Sequence, residues 1–597
     1  MTTDLGARKF AFAVISDTHV NPKDDVCNSP FPVNALANPR FRHAVADLNT
    51  RDIAFVVHLG DLVHPVPTSG ALYEQAAASF DKIAADLNVA IHLVPGNHDI
   101  GDTPVKGAPS QPVDLASIKM WEQHFGQQYS AFSHGGIRFI LLNAQLLNSG
   151  VPDEAAQREW CEAELASTHE RVFLMLHHPA YLCSPDEPNH YDNTDEPARG
   201  WLLDLLATYK VEAMFSGHAH NFWYDRYGET DYYLAPAISF VRQDYAEMAR
   251  ATPAADAELG RNDHAKLGYF IVTVFEHGHT VQIIRTHGAQ LHEGQSPTSF
   301  EPLGPTPREN KFPLLGFDMR QNWAEITEVA PSGGLDEFDR KAVRNDYPLL
   351  ALIEMGIRNI RIPLSDLRDP MRNARLGHLK HLGFHLTLFT YELPSKTDMD
   401  LVHRSAHLLS DWEMTIVWSG FAKLLAGIEA AHQQTGLPIF LSRMRSKPDL
   451  PTGSTYFHVI NHGFGLSDAA LLSELSNTVV TGAVFRLSLA EEVSETLTSF
   501  SDLAGSADLK ASVHLRTAGE NPALFQGDER LVRERIKSAM EFVKGQSQLR
   551  VFSDAFVQAD RGFFGKVGAI DRRGNPTGLS GLIKSQHFIG DSCKTVV

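Results

Sequence analysis

The sequence predicts an α/β protein of two domains, an α/β layer domain followed by a TIM-type (β/α)8 barrel. Short apolar runs alternate with amphipathic stretches along the 597 residues, as strands and helices do when helices cover a mostly parallel sheet. A proline-rich polar stretch interrupts that alternation near residue 300. In the first half, five short polar motifs each stand directly behind an apolar run.

The runs at residues 10–15, 53–59, 90–94, 139–143, 172–176 and 213–216 read as strands with helices between them. Those at 232–238, 269–275 and 280–285 follow without long helices, which suits a sheet edge or a second sheet. Pro297, Pro302, Pro305, Pro307 and Pro313 lie among glycines and polar residues, the composition of an exposed linker. The expected division is 1–295, a linker at 296–312, and a barrel domain at 313–597. Nine strand-like runs follow, at 314–319, 359–364, 384–390, 415–418, 438–441, 457–461, 483–487, 512–515 and 551–553. The connection from 441 to 457 is short for a helical crossover and carries two prolines and a glycine, so the runs it joins count as one unit. Eight βα units remain, as a TIM barrel requires.

Composition narrows the partners. Apolar residues at 43% and charged residues at 21% belong to a soluble globular chain, and 597 residues exceed what one core accommodates. With 53 basic against 72 acidic residues, the formal net charge is -19, which argues against a broad surface for nucleic acid or anionic membrane. Four widely spaced cysteines, Cys27, Cys161, Cys183 and Cys593, fit neither a zinc site nor a disulfide framework. No signal peptide or membrane-length apolar run is seen, so a cytoplasmic location is expected.

The five motifs are Asp17-Thr-His19, Gly60-Asp61, Gly96-Asn-His-Asp99, His177-His178 and Gly217-His-Ala-His220. Strand C-termini line the ligand crevice of an open α/β fold, so motifs so placed can converge although far apart in sequence. Asp17 and His19, like His218 and His220, are two apart and, if extended, project to one side. Imidazole, carboxylate and amide ligands without thiolate favour Mn, Fe, Zn or Co. Singly, each motif has a plain reading as a turn or cap, and His58, His64 and His178 keep packing or capping roles. It is the ordered set of five that points to a metal site.

This set resembles the calcineurin-like metallophosphoesterases, including the cyclic-nucleotide phosphodiesterase and glycerophosphodiesterase branch, over about residues 10–290. The resemblance implies a four-layer α/β/β/α sandwich holding two divalent or mixed-valence metal ions. It implies that Asp17, His19 and His220 bind one ion, that Asn97, His177 and His218 bind the other, and that Asp61 bridges both. His98 would stand beside the leaving group as charge stabiliser or general acid, and Asp99 would orient its ring. Two ions roughly 3.5–4 Å apart can lower the pKa of a bridging water and neutralise charge in an in-line displacement, with no protein nucleophile. The expected function is therefore hydrolysis of a small organic phosphodiester by a metal-bridging hydroxide, with a phosphomonoesterase as the alternative.

Polar segments at 21–40 and 184–199 follow two motifs and would overhang the site, bringing Tyr191, Asn193 and Arg199. At the expected barrel strand ends stand Asp318, Arg320, Asp366, Glu392, Arg443, His462, Arg486, Arg516 and Asp554. The closing stretch from Asp554 to Pro576 resembles the end of glycoside-hydrolase barrels, but the runs ending at Trp418 and Arg516 carry no glutamate where that family has its acids. The barrel then has three readings: an aid to substrate selection, a second enzyme (lyase, isomerase or glycosidase-like), or an assembly module giving a homo-oligomer. A small phosphoester is the expected partner.

Overall fold

A computed structural model describes residues 5–27, 29, 31–103, 111–168, 170–246, 248, 258–259, 263–297, 311–319, 321–330, 340–445, 461–517, 528–544, 546–558 and 567–587. The expected linker at 296–312 and the run at 457–461 lie mostly outside these residues, as do Arg320 and Cys593. Two compact units are present. One takes in the described residues through Pro297 together with Glu325–Tyr347, and the other takes in residues 311–324 and those from Pro348 onward.

The first unit contains β1 (Arg8–Ile15), β2 (Phe55–His58), β3 (Ala90–Leu93), β4 (Ser130–His134), β5 (Ile137–Leu141), β6 (Arg171–Met175), β7 (Ala213–Ser216), β8 (Trp223–Tyr227), β9 (Thr230–Leu234), β10 (Gly268–Phe275) and β11 (Gly278–Arg285). They form two sheets, ordered β11-β10-β1-β2-β3 and β4-β5-β6-β7-β9-β8. Phenylalanines hold the sheets face to face. Phe12 of β1 meets Phe139 of β5 edge-on at 5.1 Å, and Phe55 of β2 meets the same ring at 5.2 Å. Ring pairs at such spacing add to the area they bury. Helices Ala37–Leu48 and Ala71–Ala84 pack on the outer face of the first sheet, and Pro152–Ser167 and Ala198–Tyr209 on that of the second. The result is the expected α/β/β/α sandwich. Because β1, β2 and β3 are mutually parallel, as are β5, β6 and β7, the C-terminal ends of both sets face one edge.

The second unit is a closed barrel of eight parallel strands. Its first strand, β12 (Leu315–Asp318), is followed by a hairpin, β13 (Glu325–Val329) with β14 (Lys341–Asn345). The barrel continues with β15 (Asn359–Pro363), β16 (His385–Tyr391), β17 (Asp411–Ile416), β18 (Ile439–Arg443), β19 (Val480–Leu487), β20 (Lys510–Leu515) and β21 (Leu549–Ser553), and β21 closes on β12. The fourth strand begins four residues before the expected run at 415–418, which places Glu413 inside it. Its lumen is polar. The guanidinium of Arg550 on β21 pairs with Asp411 on β17 and reaches Ser512 on β20. Arg361 on β15 binds Glu413 at 2.8 Å, and His514 on β20 lies 3.0 Å from the same carboxylate. None of these strands neighbours β17, so the contacts cross the lumen, where such barrels ordinarily stack Val, Ile and Leu.

The β13–β14 hairpin belongs by sequence to the expected barrel domain, yet it packs with the first unit. Val329 and Val343 join the core formed by Val172, Leu174, Leu202 and Met214. Lys341, fully buried, pairs with Asp192 and Asp244 and lies 4.6 Å over the Tyr245 ring. Arg344 binds Asp225 at 3.2 Å and covers the Trp223 ring. Removing one member of a buried charge group strands its partners, at about 3–5 kcal/mol. We expect Lys341→Met to lower the stability of the first unit by about that amount in urea denaturation. A change within ~0.5 kcal/mol, the range of ordinary surface substitutions, would contradict this role.

Candidate metal centre

All five motifs emerge at the shared C-terminal edge. Asp17 and His19 follow β1, Asp61 follows β2, Asn97 to Asp99 follow β3, His177 and His178 follow β6, and His218 and His220 follow β7. The local backbone is not the extended one expected for the paired residues. Asp17, His19, Asp61, His218 and His220 have φ of 54, 44, 55, 69 and 52°, in the left-handed region. Each such residue costs on the order of 1–3 kcal/mol unless its surroundings enforce it. Here they do: Asp17 N donates to Gly60 O at 3.0 Å, His19 N to Asp61 O at 3.0 Å and Gly217 N to His177 O at 2.8 Å. Gly96 is required for contact, because a Cβ there would stand 2.3 Å from the Asp61 carboxylate.

The side chains gather in two adjoining groups. Asp17, His19, Asp61 and His220 are all buried, with their ligand atoms within 4.8 Å of one another. His220 Nε2 is 3.0 Å from His19 Nε2 and 3.2 Å from Asp17 Oδ1. In the second group, Asn97 Oδ1 is 3.2 Å from His177 Nε2 and 3.1 Å from His218 Nδ1. Asp61 Oδ2 joins the two, 3.5 Å from His19 Nε2 and 3.4 Å from His177 Nε2. Thus the pair Asp17 and His19 stays together, whereas His218 and His220 divide between the groups.

A cation fits this arrangement on the chemistry of the donors. The Nδ1–H of His220 donates to Phe240 O at 2.6 Å and that of His177 to Leu59 O at 2.8 Å, which turns the Nε2 lone pairs inward. Asn97 Nδ2 donates to Tyr191 at 3.1 Å, so its oxygen also faces inward. Asp17 Oδ1 is buried and accepts no hydrogen bond. Lone pairs thus confront carboxylate oxygens among buried groups, which calls for positive charge between them. Protons are the alternative source of that charge. Burial favours neutral His177, but Asp61 overrides it and raises the imidazole to about 9. Burial likewise raises Asp61, but His177 and His98 override it and hold the carboxyl well below its usual range.

His98 lies at the rim, half-buried, with its ring edge-on to His19 at 4.7 Å. Its backbone N donates to Asp61 Oδ1 at 2.9 Å, and its Nδ1–H donates to His64 O at 2.5 Å. The expected role of Asp99 changes as a result. Asp99 Oδ1 accepts from Leu62 N and Val63 N, and Oδ2 from Gly96 N, so its carboxylate ties the Asp61 loop to the Asn97 turn. The carbonyl of His64, and not Asp99, fixes the His98 ring.

Neighbouring residues support the ligands. His178 stacks on His218 at 3.7 Å and accepts from Gln145 at 2.7 Å. His58 bonds Thr18 and Gly60 N, and burial pushes its imidazole down to about 3. Asp192, absent from the sequence expectations, lies 3.2 Å from His218 Nε2 and accepts from Arg242, Tyr245 and Lys341. A carboxylate behind a histidine fixes its ring and raises its basicity. Of the loop residues expected near substrate, Tyr191 reaches Asn97, whereas Asn193 and Arg199 bond within their own loop.

Residues 10–222 match the calcineurin-like phosphoesterase family. The chain is 29% identical to the mouse (Mus musculus) serine/threonine-protein phosphatase CPPED1 over 204 residues, 33% of this chain and 62% of that protein. It is 31% identical to the Danio rerio protein of the same name over 175 residues, 28% of this chain and 54% of that protein. The chain thus spans less than two thirds of either relative. A dimetal phosphatase from Danio rerio aligns with 46% of this chain and 96% of its own at 16% identity and a TM-score of 0.32. With the family match over its length and all five motifs at one edge of its sheets, the segment 10–222 is a calcineurin-like phosphoesterase domain.

Proposed function

We propose that the first unit is a metal-dependent phosphoric ester hydrolase with a dinuclear centre, acting on a small organic phosphodiester. The observation that carries this is the single Asp61 oxygen standing between two groups of inward-turned imidazole and carboxylate donors. Asp17, His19, Asp61 and His220 would hold one ion, and Asn97, His177, His218 and Asp61 the other. Two divalent ions of the Mn, Fe, Zn or Co class would supply Lewis acidity for the phosphoryl group and a water of lowered pKa.

The chain's own residues do the rest. With its Nδ1–H committed to His64 O, His98 has Nε2 available to stabilise or protonate a leaving oxygen. Tyr191 lies beside Asn97 with its hydroxyl 3.1 Å from the amide, at the rim from which a substrate group would approach. The diester preference draws support from charge. Among the described residues, Arg199 is bound to Glu187 O and Glu196, Arg242 to Asp192 and Asp244, and Arg40 to Ser239 O and Glu258, so these arginines are already engaged. A diester brings one negative charge, and a monoester up to two. The name of the relatives, serine/threonine-protein phosphatase, favours a second reading as a phosphomonoesterase.

Asp61→Asn should reduce binding at both ions together, and Asn97→Ala mainly at one, read as metal equivalents per chain after reconstitution. Equal, mild losses would contradict the bridging assignment. His98→Ala should lower turnover ~100- to 10,000-fold with metal content retained, since its contribution is proton transfer. Loss of metal would make His98 a ligand. On metal-stripped protein reloaded with Mn, Fe, Zn or Co, a panel of diesters, monoesters and cyclic nucleotides should give the highest kcat/KM for a diester. A clear preference for monoesters would select the second reading.

A further inference from the structure

We propose that Glu413, His462 and His514 form a divalent-cation site, for zinc or a similar borderline ion, in the C-terminal half of the barrel lumen. Among the described residues, this is the one group of convergent histidine and carboxylate donors outside the phosphoesterase unit. It does not depend on the function proposed for that unit.

Three elements bring the donors together. Glu413 comes from β17, His514 from β20, and His462 from the segment after β18, bridged to Met444. Their ligand atoms lie within 4.8 Å of one another. His514 Nε2 is 3.0 and 3.3 Å from the two Glu413 oxygens. Neighbouring ligands on a tetrahedral ion with bonds of about 2.0–2.1 Å stand about 3.3 Å apart, so little movement is required.

Surrounding contacts prepare each donor. Arg361 takes Oε1 of Glu413 through both Nε and Nη2, leaving Oε2 for an ion. Ser442 Oγ lies 2.8 Å from His462 Nδ1, which directs Nε2 to the cluster, and the His462 and His514 rings meet edge-on at 5.0 Å. A second carboxylate borders the group. Arg361 is shared between Glu413 and Asp318, the latter at 3.4 Å, so two carboxylates face one guanidinium. Glu413 and His514 are buried and His462 is partly exposed, so the third ligand borders solvent. Three protein ligands with an open side describe a catalytic type of zinc site, whereas structural sites are closed by four. A glycosidase fits less well, because the group on β20 facing Glu413 is an imidazole and the second carboxylate, Asp318, shares the Arg361 guanidinium with Glu413.

The test uses the full chain, stripped with chelator, reloaded with Zn2+, dialysed and counted by elemental mass spectrometry. His462→Ala and His514→Ala should each bind one zinc fewer than the parent, and the double variant also one fewer, since both serve a single ion. His462 is the decisive position, because its loss leaves the Arg361–Glu413–His514 contacts in place. His462→Gln repeats the measurement should either alanine variant fail to fold. Zinc content equal to the parent in a His462 variant with the parent's melting temperature would overturn the site. If the dinuclear reading were wrong, the parent count would fall but the one-ion difference would persist. If the barrel site were wrong, the difference alone would vanish.

Discussion

The first unit is organised around a burial problem. Two carboxylates, an amide oxygen and four imidazoles share a buried space in which their lone pairs face one another, an arrangement unfavourable without a cation. Holding them there requires backbone that peptide chains ordinarily avoid. Five of the seven proposed ligands are left-handed residues, and the strain is absorbed by hydrogen bonds between the loops that carry them. Two parallel strand sets then deliver these loops to one edge, and the phenylalanine layer fixes the sheets against each other. Sheet geometry, loop strain and glycine placement all serve the same few ångströms.

The constraint propagates outward as charge. His218 leans on Asp192, which is fully buried and needs cations of its own. One is Arg242, from the same half of the chain. The other is Lys341, more than a hundred residues beyond the last motif and inserted between the first two barrel strands. Buried ion pairs contribute little net stability but penalise any rearrangement that separates them. The hairpin therefore fixes geometry behind a ligand, and a segment that looks like part of the barrel in sequence belongs physically to the other unit.

Legibility in the sequence followed the same division. Ligand motifs behind apolar runs were readable, because strand ends and short polar signatures are local features. The eight barrel strands were readable from alternation, with the start of the fourth displaced furthest, by four residues. The run Thr-Ile-Val-Trp at 415–418 is more apolar than the true strand Asp-Trp-Glu-Met-Thr-Ile at 411–416, whose period-two pattern turns its polar residues into the lumen. That alternation was the available signal for Glu413. Asp99 was misread for another reason: its neighbour suggested an acid–imidazole pair, while the turn geometry gave its oxygens three backbone N–H groups. Asp192 and Lys341 carried no local signal, because their meaning depends on each other across 149 residues.

The polar lumen shows why the barrel is more than a filled scaffold. Apolar side chains would fill the interior with less desolvation cost, so layers of Arg550 with Asp411 and of Arg361 with Glu413 spend stability that packing alone would have kept. The lower layer pairs one acid with one base, and the same guanidinium reaches the hydroxyls of Ser512 and Thr387. The upper layer is built differently. It sets two carboxylates against one guanidinium, with two imidazoles beside them and one edge near solvent. If both layers served only to close the barrel, there would be no physical reason for them to differ in this way. The convergence of two imidazoles on a carboxylate, at the strand end where barrel sites are built, is what assigns the upper layer to a ligand and the lower one to structure.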